Sequence, residues 1–223
     1  MMVKRENGPR VQGAHPGVFV LCAPSGTGKT TVVRALLECE RGRIFFSVSA
    51  TTRPARPLER HGIDYFFLTP EEFRIWVRRG DFLEYAEVYG YCYGTPRQPV
   101  MEAVEQGRPV LLDIDWNGAC QVRQNLPQAV VTFLLLPPSR EELERRLRGR
   151  RTEGQDQIAR RLREAQQEIR NFRSFDYVLV NDDVERTVAQ IRAMLSQSGD
   201  FSYHPPPDLE RRVADLLEDT PAS

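Results

Sequence analysis

Five short apolar runs alternate along the chain with longer stretches in which apolar residues recur at helical spacing. Short apolar runs between helical stretches are typical of parallel strands that are covered on both faces. The alternation therefore predicts an α/β fold with a doubly wound, five-stranded parallel sheet. The predicted strands are 18–22, 44–48, 110–114, 131–136 and 177–180, and the predicted helices are 31–39, 96–106, 139–149, 156–171 and 184–197.

Residues 50–95 interrupt this alternation, because they are rich in aromatic residues and carry one short helical signature. Thr69 is predicted to cap that helix, with Pro70 in its first turn and Glu72 completing a capping box. The aromatic segments around the helix favour short antiparallel strands. We interpret the stretch as a small inserted domain of mixed α and β structure, whose aromatic side chains form mainly local core.

The two ends of the chain differ from the segments between them. Residues 1–16 are polar and lack the apolar segment of a secretory signal, so a flexible tail is predicted there. After residue 198 the chain is polar and passes three consecutive prolines. Leu209, Val213, Leu216 and Leu217 then share one face of a possible short helix. That helix could dock on the core, pair with another chain or stay mobile.

Composition narrows the classes of partner. The 223 residues allow one sizeable core and a small inserted unit. The 31 basic and 31 acidic side chains cancel, which argues against a nucleic-acid partner. No run of 18 apolar residues exists, so no membrane partner is expected. The four cysteines lack metal-ligand spacing, which favours a reducing cytoplasmic location, and the three histidines are scattered in polar segments.

A glycine-rich segment, residues 23–30, follows the first predicted strand and leads into the first predicted helix. Its glycines allow the backbone amides to wrap around phosphates, and the helix N-terminus also favours anions. Lys29 adds a positive charge near the outer phosphates, and the Thr30 hydroxyl is a ligand for Mg²⁺. The alternative is a glycine-rich turn that binds nothing. The predicted triphosphate-binding residues are Ala23, Pro24, Ser25, Gly26, Thr27, Gly28, Lys29 and Thr30.

Eight further segments resemble, in the same order, the motifs of the guanylate kinase family. The likeness extends from about residue 17 to residue 195. It implies transfer of a phosphoryl group from ATP to GMP with Mg²⁺ as cofactor. It also implies a core (17–48, 96–144 and 158–198), a GMP-binding insertion (49–95) and an arginine-bearing lid (145–157). The segments are 47–56, 62–67, 82–86, 93–95, 112–118, 137–139, 146–150 and 180–183.

The chemistry of GMP explains three of the residues in the inserted domain. Arg53 and Arg56 can converge on the phosphate as bidentate donors. The two oxygens of Glu84 can accept hydrogen bonds from the ring N–H and the exocyclic amine of guanine. Adenine would place an acceptor opposite the carboxylate, so a buried Glu84 would discriminate strongly between the bases.

The resemblance adds five more residues to the GMP site. It implies that the hydroxyls of Tyr65 and Tyr93 contact the phosphate. It also implies that Ser49 and Thr95 contact the base, with Asp115 close by. Taken alone, Arg53 and Arg56 could be an ordinary surface arginine pair, and Glu84 could be an exposed strand carboxylate.

On the ATP side, the resemblance assigns lid roles to Arg146, Arg150 and Arg161. Phosphoryl transfer spreads negative charge over the moving group, so cations directed at it lower the barrier. Asp113, at the end of a predicted strand, is expected to position Mg²⁺. Asn181 resembles the residue that contacts adenine in the family. The other arginines of 145–163 are predicted to form a solvated helix face.

Departures from the family pattern and two alternatives remain. Ala55 and Leu58 change the loop that presents Arg56, and Arg151 stands where glycine is common in the family.

One alternative function is that of an enzyme similar to ribose 1,5-bisphosphate phosphokinase, which shares the phosphate loop and the lid. The other is a non-catalytic guanylate-kinase-like scaffold, which generally lacks an intact phosphate loop. GMP and ATP are the predicted partners, and a homo-oligomer is possible.

Overall fold

The computed structural model describes residues 17–88, 90–126, 130–149, 155–195 and 203–218, without the side chains of 155–157. Strands and helices alternate over most of these ranges. The strands are β1 (Val18–Cys22), β2 (Phe45–Phe46), β3 (Ala50–Thr51), β4 (Phe66–Phe67), β5 (Phe82–Val88), β6 (Tyr91–Pro96), β7 (Val110–Asp113), β8 (Val130–Leu136) and β9 (Tyr177–Val180). The α-helices are α1 (Lys29–Cys39), α2 (Pro70–Arg79), α3 (Arg97–Glu105), α4 (Trp116–Asn125), α5 (Arg140–Arg148), α6 (Gln155–Arg170), α7 (Val184–Leu195) and α8 (Leu209–Leu217).

The larger sheet has five strands in the order β2-β7-β1-β8-β9, which confirms the predicted α/β fold. β2 pairs in parallel with β7, and β8 pairs in parallel with β9. The second strand is shorter than predicted. The amide of Ser47 still donates to the carbonyl of Leu111 at 3.1 Å, and the chain then enters β3 of the smaller sheet.

The chain divides into two compact units. The first contains Leu21–Cys39 and the described part of Thr132–Ser223. Its core includes Leu36, Leu134 and Ile191, which are fully buried. The predicted helix near the end of the chain is present as α8, and it docks on α6 of the same unit. Val213 and Leu216 are buried, while Glu210 forms an ion pair with Arg173 at 2.7 Å.

The second unit contains the described part of Pro16–Val20 and of Glu40–Val131. Its smaller sheet has the order β4-β3-β6-β5. β6 pairs antiparallel with both β5 and β3, as predicted, but β3 and β4 are parallel, so the prediction of antiparallel strands was wrong for this pair. The chain between β3 and β4 is long enough to return to the same end of the sheet, which permits parallel pairing.

Of two helices in the second unit, one was predicted with its cap and the other was missed. The capping box of α2 is present, with Thr69 and Glu72 each bonding the backbone of the other. Helix α4 was not predicted, because its ten residues include a glycine and few apolar side chains. Asp115 starts the helix by accepting a hydrogen bond from the amide of Gly118 at 2.8 Å.

No helix in the described ranges is both long and apolar enough to span a lipid bilayer.

Candidate active site

The segment between β1 and α1 forms a tight loop that opens the helix. Gly26 and Gly28 have φ values of 91° and 98°, which other residues rarely adopt. A Cβ on Gly28 would also lie 2.9 Å from Nδ2 of Asn181. The helix begins at Lys29, two residues earlier than predicted, so its first amides lie within the loop. This geometry suits an anion at the helix N-terminus.

Three residues distant in sequence meet this loop within the first unit. Nη1 of Arg146 and Nδ2 of Asn181 both donate to the carbonyl of Thr27, each at 2.8 Å. Nη2 of Arg161 donates to Oγ of Ser25 at 2.7 Å. The structure therefore brings two of the predicted lid arginines and the predicted adenine-side residue together at the loop. Arg150 lies outside the described residues.

Arg146 is oriented by a carboxylate of its own helix. Its Nε donates to Glu142 at 2.6 Å, and Glu142 also accepts from Arg145. These two hydrogen bonds, with the Arg145 bond the stronger, lower the pKa of Glu142 to about 2. Ser139 caps α5 by accepting a hydrogen bond from the Glu142 amide, while the side chain of Glu142 bonds these arginines. Glu142 is thus charged at neutral pH and holds the guanidinium group of Arg146 at its Nε.

The side-chain amide of Asn181 is held by hydrogen bonds at both of its ends. Its side chain is buried, and its Oδ1 accepts from the hydroxyl of Thr187 at 3.2 Å. The opposite end of the amide is the donor to Thr27. Both ends of the amide are therefore used, which sets its orientation relative to the loop.

The second unit holds a buried carboxylate in the smaller sheet. Glu84 on β5 is 5% exposed and faces Thr95 in the register of β6. The hydroxyl of Thr95 donates to Oε1 of Glu84 at 2.6 Å. Burial, with a smaller contribution from the charge of Asp115, raises the pKa of Glu84 to about 7, against the opposing effect of the hydrogen bond from Thr95.

The first turn of α4 closes the space beside this carboxylate. Asp115, a predicted base-side residue, is the N-cap of the helix. A Cβ on Gly118 would lie 2.9 Å from Oε2 of Glu84, so only glycine leaves the carboxylate in place. The structure therefore brings together Glu84, Thr95 and Asp115, three of the residues predicted for the base side.

A second cluster in the same unit is cationic and aromatic. Nη2 of Arg53 donates to both oxygens of Glu59 at 2.9 Å. The Arg53 guanidinium lies over the ring of Tyr65, 5.4 Å from its centroid. The rings of Tyr65 and Tyr93 are 6.1 Å apart. Arg56 is more remote and largely exposed, with its guanidinium 3.9 Å from Glu59.

Glu59 is a residue that the sequence interpretation did not identify. It also accepts a hydrogen bond from the amide of Arg56 at 2.8 Å, and this bond is the main cause of its lowered pKa. One carboxylate thus holds the side chain of Arg53 and the backbone that carries Arg56. Its spacing of three and six residues from the two arginines was the available signal.

The structure also gives positions for the remaining predicted residues. Asp113 is the last residue of β7, and its charge, after burial, raises the pKa of Tyr65. Ser49 is half-buried, and its carbonyl accepts from the amide of Phe66. Thr30 is exposed in the first turn of α1, and Lys29 beside it is half-buried.

Comparisons with known proteins agree on one family. A profile described as guanylate kinase matches residues 16–198. The guanylate kinase of Chelativorans sp. (strain BNC1) is 46% identical over 204 residues, covering 92% of this chain and 93% of the relative. That of Dechloromonas aromatica (strain RCB) is 50% identical over 182 residues, covering 82% and 89%.

The fold leads to the same family. The crystal structure of guanylate kinase from Anaplasma phagocytophilum matches with a TM-score of 0.69 at 36% identity. The match covers 86% of this chain and 90% of that structure. The order of the motifs, the loop with its converging donors and the likeness to these relatives lead to one conclusion: the chain belongs to the guanylate kinase family.

Proposed function

We propose that this protein transfers the γ-phosphoryl group of ATP to GMP, giving ADP and GDP. The observation that carries the proposal is the buried Glu84 carboxylate, supported on one side by Thr95 and approached on the other by α4. A carboxylate that is buried at a cost of solvation needs donors. The ring N–H and the exocyclic amine of guanine are two adjacent donors that match its oxygens.

The arginine and tyrosine cluster suits the phosphate of the acceptor. Arg53 is held by Glu59 and lies against the ring of Tyr65, so its guanidinium is ordered before the substrate arrives. The side chain of Arg56 is exposed, so it would have to move further than that of Arg53 to reach the phosphate of GMP. We assign the phosphate of GMP to these arginines with the hydroxyls of Tyr65 and Tyr93. Ser49, Thr95 and Asp115 are assigned to the base side.

The loop of the first unit suits the triphosphate of ATP. Its amides and Lys29 would hold the phosphates, while Asn181 is assigned to the adenine side. Arg146 and Arg161 hydrogen-bond to the loop at Thr27 and Ser25 in this structure. Their guanidinium groups are therefore close enough to turn toward a bound γ-phosphoryl group and stabilise the charge that develops on it. Arg150 is assigned the same role from the sequence alone.

No general base is required in this reaction. The second pKa of a phosphate monoester is about 6, so the attacking oxygen of GMP is already largely ionised at neutral pH. The protein must instead position the two phosphate groups and exclude water. The residues proposed above supply donors and positive charge, which is consistent with that need.

Mg²⁺ is the proposed cofactor. Thr30 offers a hydroxyl and Asp113 a carboxylate, and both are the hard oxygen donors that Mg²⁺ prefers. Mg²⁺ is usually held by one or two such groups together with substrate phosphates and water. When bound, it would neutralise charge on the phosphates of ATP. A cytoplasmic location and a possible homo-oligomer remain predictions from the sequence.

A coupled assay of ADP formation across GMP, AMP, UMP, dTMP and ribose phosphates tests the proposal. We expect turnover with GMP, and much less with the other acceptors. Phosphorylation of a ribose phosphate but not of GMP would support the alternative kinase. Hydrolysis of ATP without phosphorylation of any acceptor would support neither of the two kinases. The relatives described above do not favour either alternative.

A further inference from the structure

Helix α4 is fastened to β5 on both sides of Glu84. The side-chain amide of Gln121 bonds both backbone groups of Tyr85, accepting from its N–H at 3.1 Å and donating to its carbonyl at 3.0 Å. Nδ2 of Asn125 donates to the carbonyl of Leu83 at 2.6 Å. β5 is the outermost strand of the smaller sheet, so these are groups that a further strand would otherwise pair.

The same helix also limits the side chain of Glu84. Oε1 of Glu84 is held by Thr95, whereas Oε2 faces the first turn of α4. A Cβ on Gly118 would lie 2.9 Å from Oε2 and 3.3 Å from the carboxyl carbon. Gly118 is itself fixed by the bond from its amide to Asp115. Backbone and carboxylate of Glu84 are therefore positioned by one helix.

We propose that α4 sets guanine selectivity, with Gln121 as the main positioning residue for Glu84. This inference rests on the proposed function, because it assumes that Glu84 accepts the two donors of guanine. A pair of hydrogen bonds to one carboxylate depends on its placement along the base edge. Gln121 fixes that placement by holding the residue next to Glu84 through two hydrogen bonds. Asn125 contributes a third bond on the other side.

Gln121→Met tests the proposal, since methionine has similar length and cannot replace either hydrogen bond. Gln124→Met is the matched control, because Gln124 is an exposed glutamine on the same helix. We expect the KM for GMP to rise about tenfold in Gln121→Met, the cost of one misplaced hydrogen bond, with the KM for ATP unchanged. Gln124→Met should behave as wild type.

The ratio of kcat/KM for GMP to that for inosine monophosphate gives a second measurement. Inosine monophosphate lacks the exocyclic amine, so it depends on one carboxylate bond where GMP depends on two. The ratio should therefore fall in Gln121→Met and stay constant in Gln124→Met. A variant that merely unfolds more easily would lose activity toward both acceptors equally.

Gly118→Ala probes the same contact from the other end of the helix. Alanine favours a helix more than glycine does, so this change does not weaken α4 by propensity. We expect the same rise in the KM for GMP and the same fall in the acceptor ratio. The added methyl group would also crowd Cδ1 of Ile114 at 3.2 Å, so a modest drop in the thermal unfolding midpoint is expected. The acceptor ratio is the decisive readout, because a merely less stable enzyme would keep the wild-type ratio.

Two results would overturn the inference. A wild-type acceptor ratio in both Gln121→Met and Gly118→Ala would show that α4 does not position Glu84. A parallel rise of both KM values in Gln121→Met would assign the residue a general structural role instead. In either case wild-type turnover of GMP leaves the proposed function intact, whereas a wild-type enzyme that does not phosphorylate GMP would overturn both proposals.

Discussion

Glu84→Gln is expected to stabilise the folded protein at neutral and higher pH while weakening GMP binding. The amide is similar in shape to the carboxylate and can still accept the hydrogen bond from Thr95. It carries no charge, so it avoids the cost of holding an ionised group in a buried position. The ionised carboxylate of Glu84 therefore lowers the free energy of unfolding. In return it offers the hydrogen-bond acceptor that the donors of guanine need.

The size of the effect follows from the pKa of Glu84, which burial raises from 4.5 to about 7. Between these values the folded protein holds a proton that the unfolded chain has lost. The free energy of unfolding therefore falls as the pH rises through this window and levels off above about pH 7. At about 1.4 kcal/mol per pH unit, the ionised carboxylate costs about 3 kcal/mol.

Urea titrations of wild type and Glu84→Gln at pH 5 and pH 8 measure this cost. Trp76 and Trp116 both lie in the second unit, as Glu84 does, so their fluorescence reports its unfolding. We expect the variant to be more stable by about 1 kcal/mol or less at pH 5 and by about 3 kcal/mol at pH 8. Other titrating groups contribute equally to both proteins and cancel.

A stability difference that is the same at both pH values would refute the reasoning, because it would mean that Glu84 does not titrate in this window. The kinetic counterpart is a rise of roughly a hundredfold in the KM for GMP, with ATP binding unchanged. Equal losses for both substrates would mean that the carboxylate does not recognise guanine.

Three further changes test separate contacts. Glu59→Gln removes the charge that holds Arg53, so the KM for GMP should rise several-fold in steady-state kinetics; an unchanged KM would exclude this positioning role. Arg161→Lys should lower kcat by roughly a hundredfold or more. Arg160→Lys, at the exposed ion pair with Glu164 on the same helix, is its control, and an equal loss in both would contradict a specific role. Tyr203→Phe should lower the free energy of unfolding by about 1–2 kcal/mol without changing either KM, as measured by urea titration.

The strands of the larger sheet could be predicted because burial on both faces requires continuous apolar segments. The run predicted at 131–136 is observed as Val130–Leu136, and Tyr177–Val180 is observed as predicted. The phosphate loop is equally local, since its glycines, lysine and threonine lie within eight consecutive residues. Both signals depend on neighbours in sequence.

The contacts that complete the candidate site are not local. Arg161 reaches Ser25 across 136 positions, and no periodicity along the chain indicates that distance. Only the resemblance to a family singled out Arg161. Glu59 was missed because carboxylates near arginines are common on protein surfaces, and its two bonds depend on the turn of its loop.

Helix α4 was missed for a related reason. Gly118 lowers helix propensity, yet it is the residue whose missing side chain admits the Glu84 carboxylate. Gln121 and Asn125 are polar residues that a sequence pattern assigns to solvent, whereas they bond the backbone of β5. Here the local pattern is weakened by the residues that contact another element, so it could not predict the helix.

The hydroxyl of Tyr203 donates to the carbonyl of Val178 at 2.7 Å and accepts from its amide at 3.0 Å. Val178 lies on β9, at the outer edge of the larger sheet, and Tyr203 follows it by 25 residues. A chain truncated before Tyr203 would leave both backbone groups of Val178 open to pairing with another extended chain at this edge of the sheet.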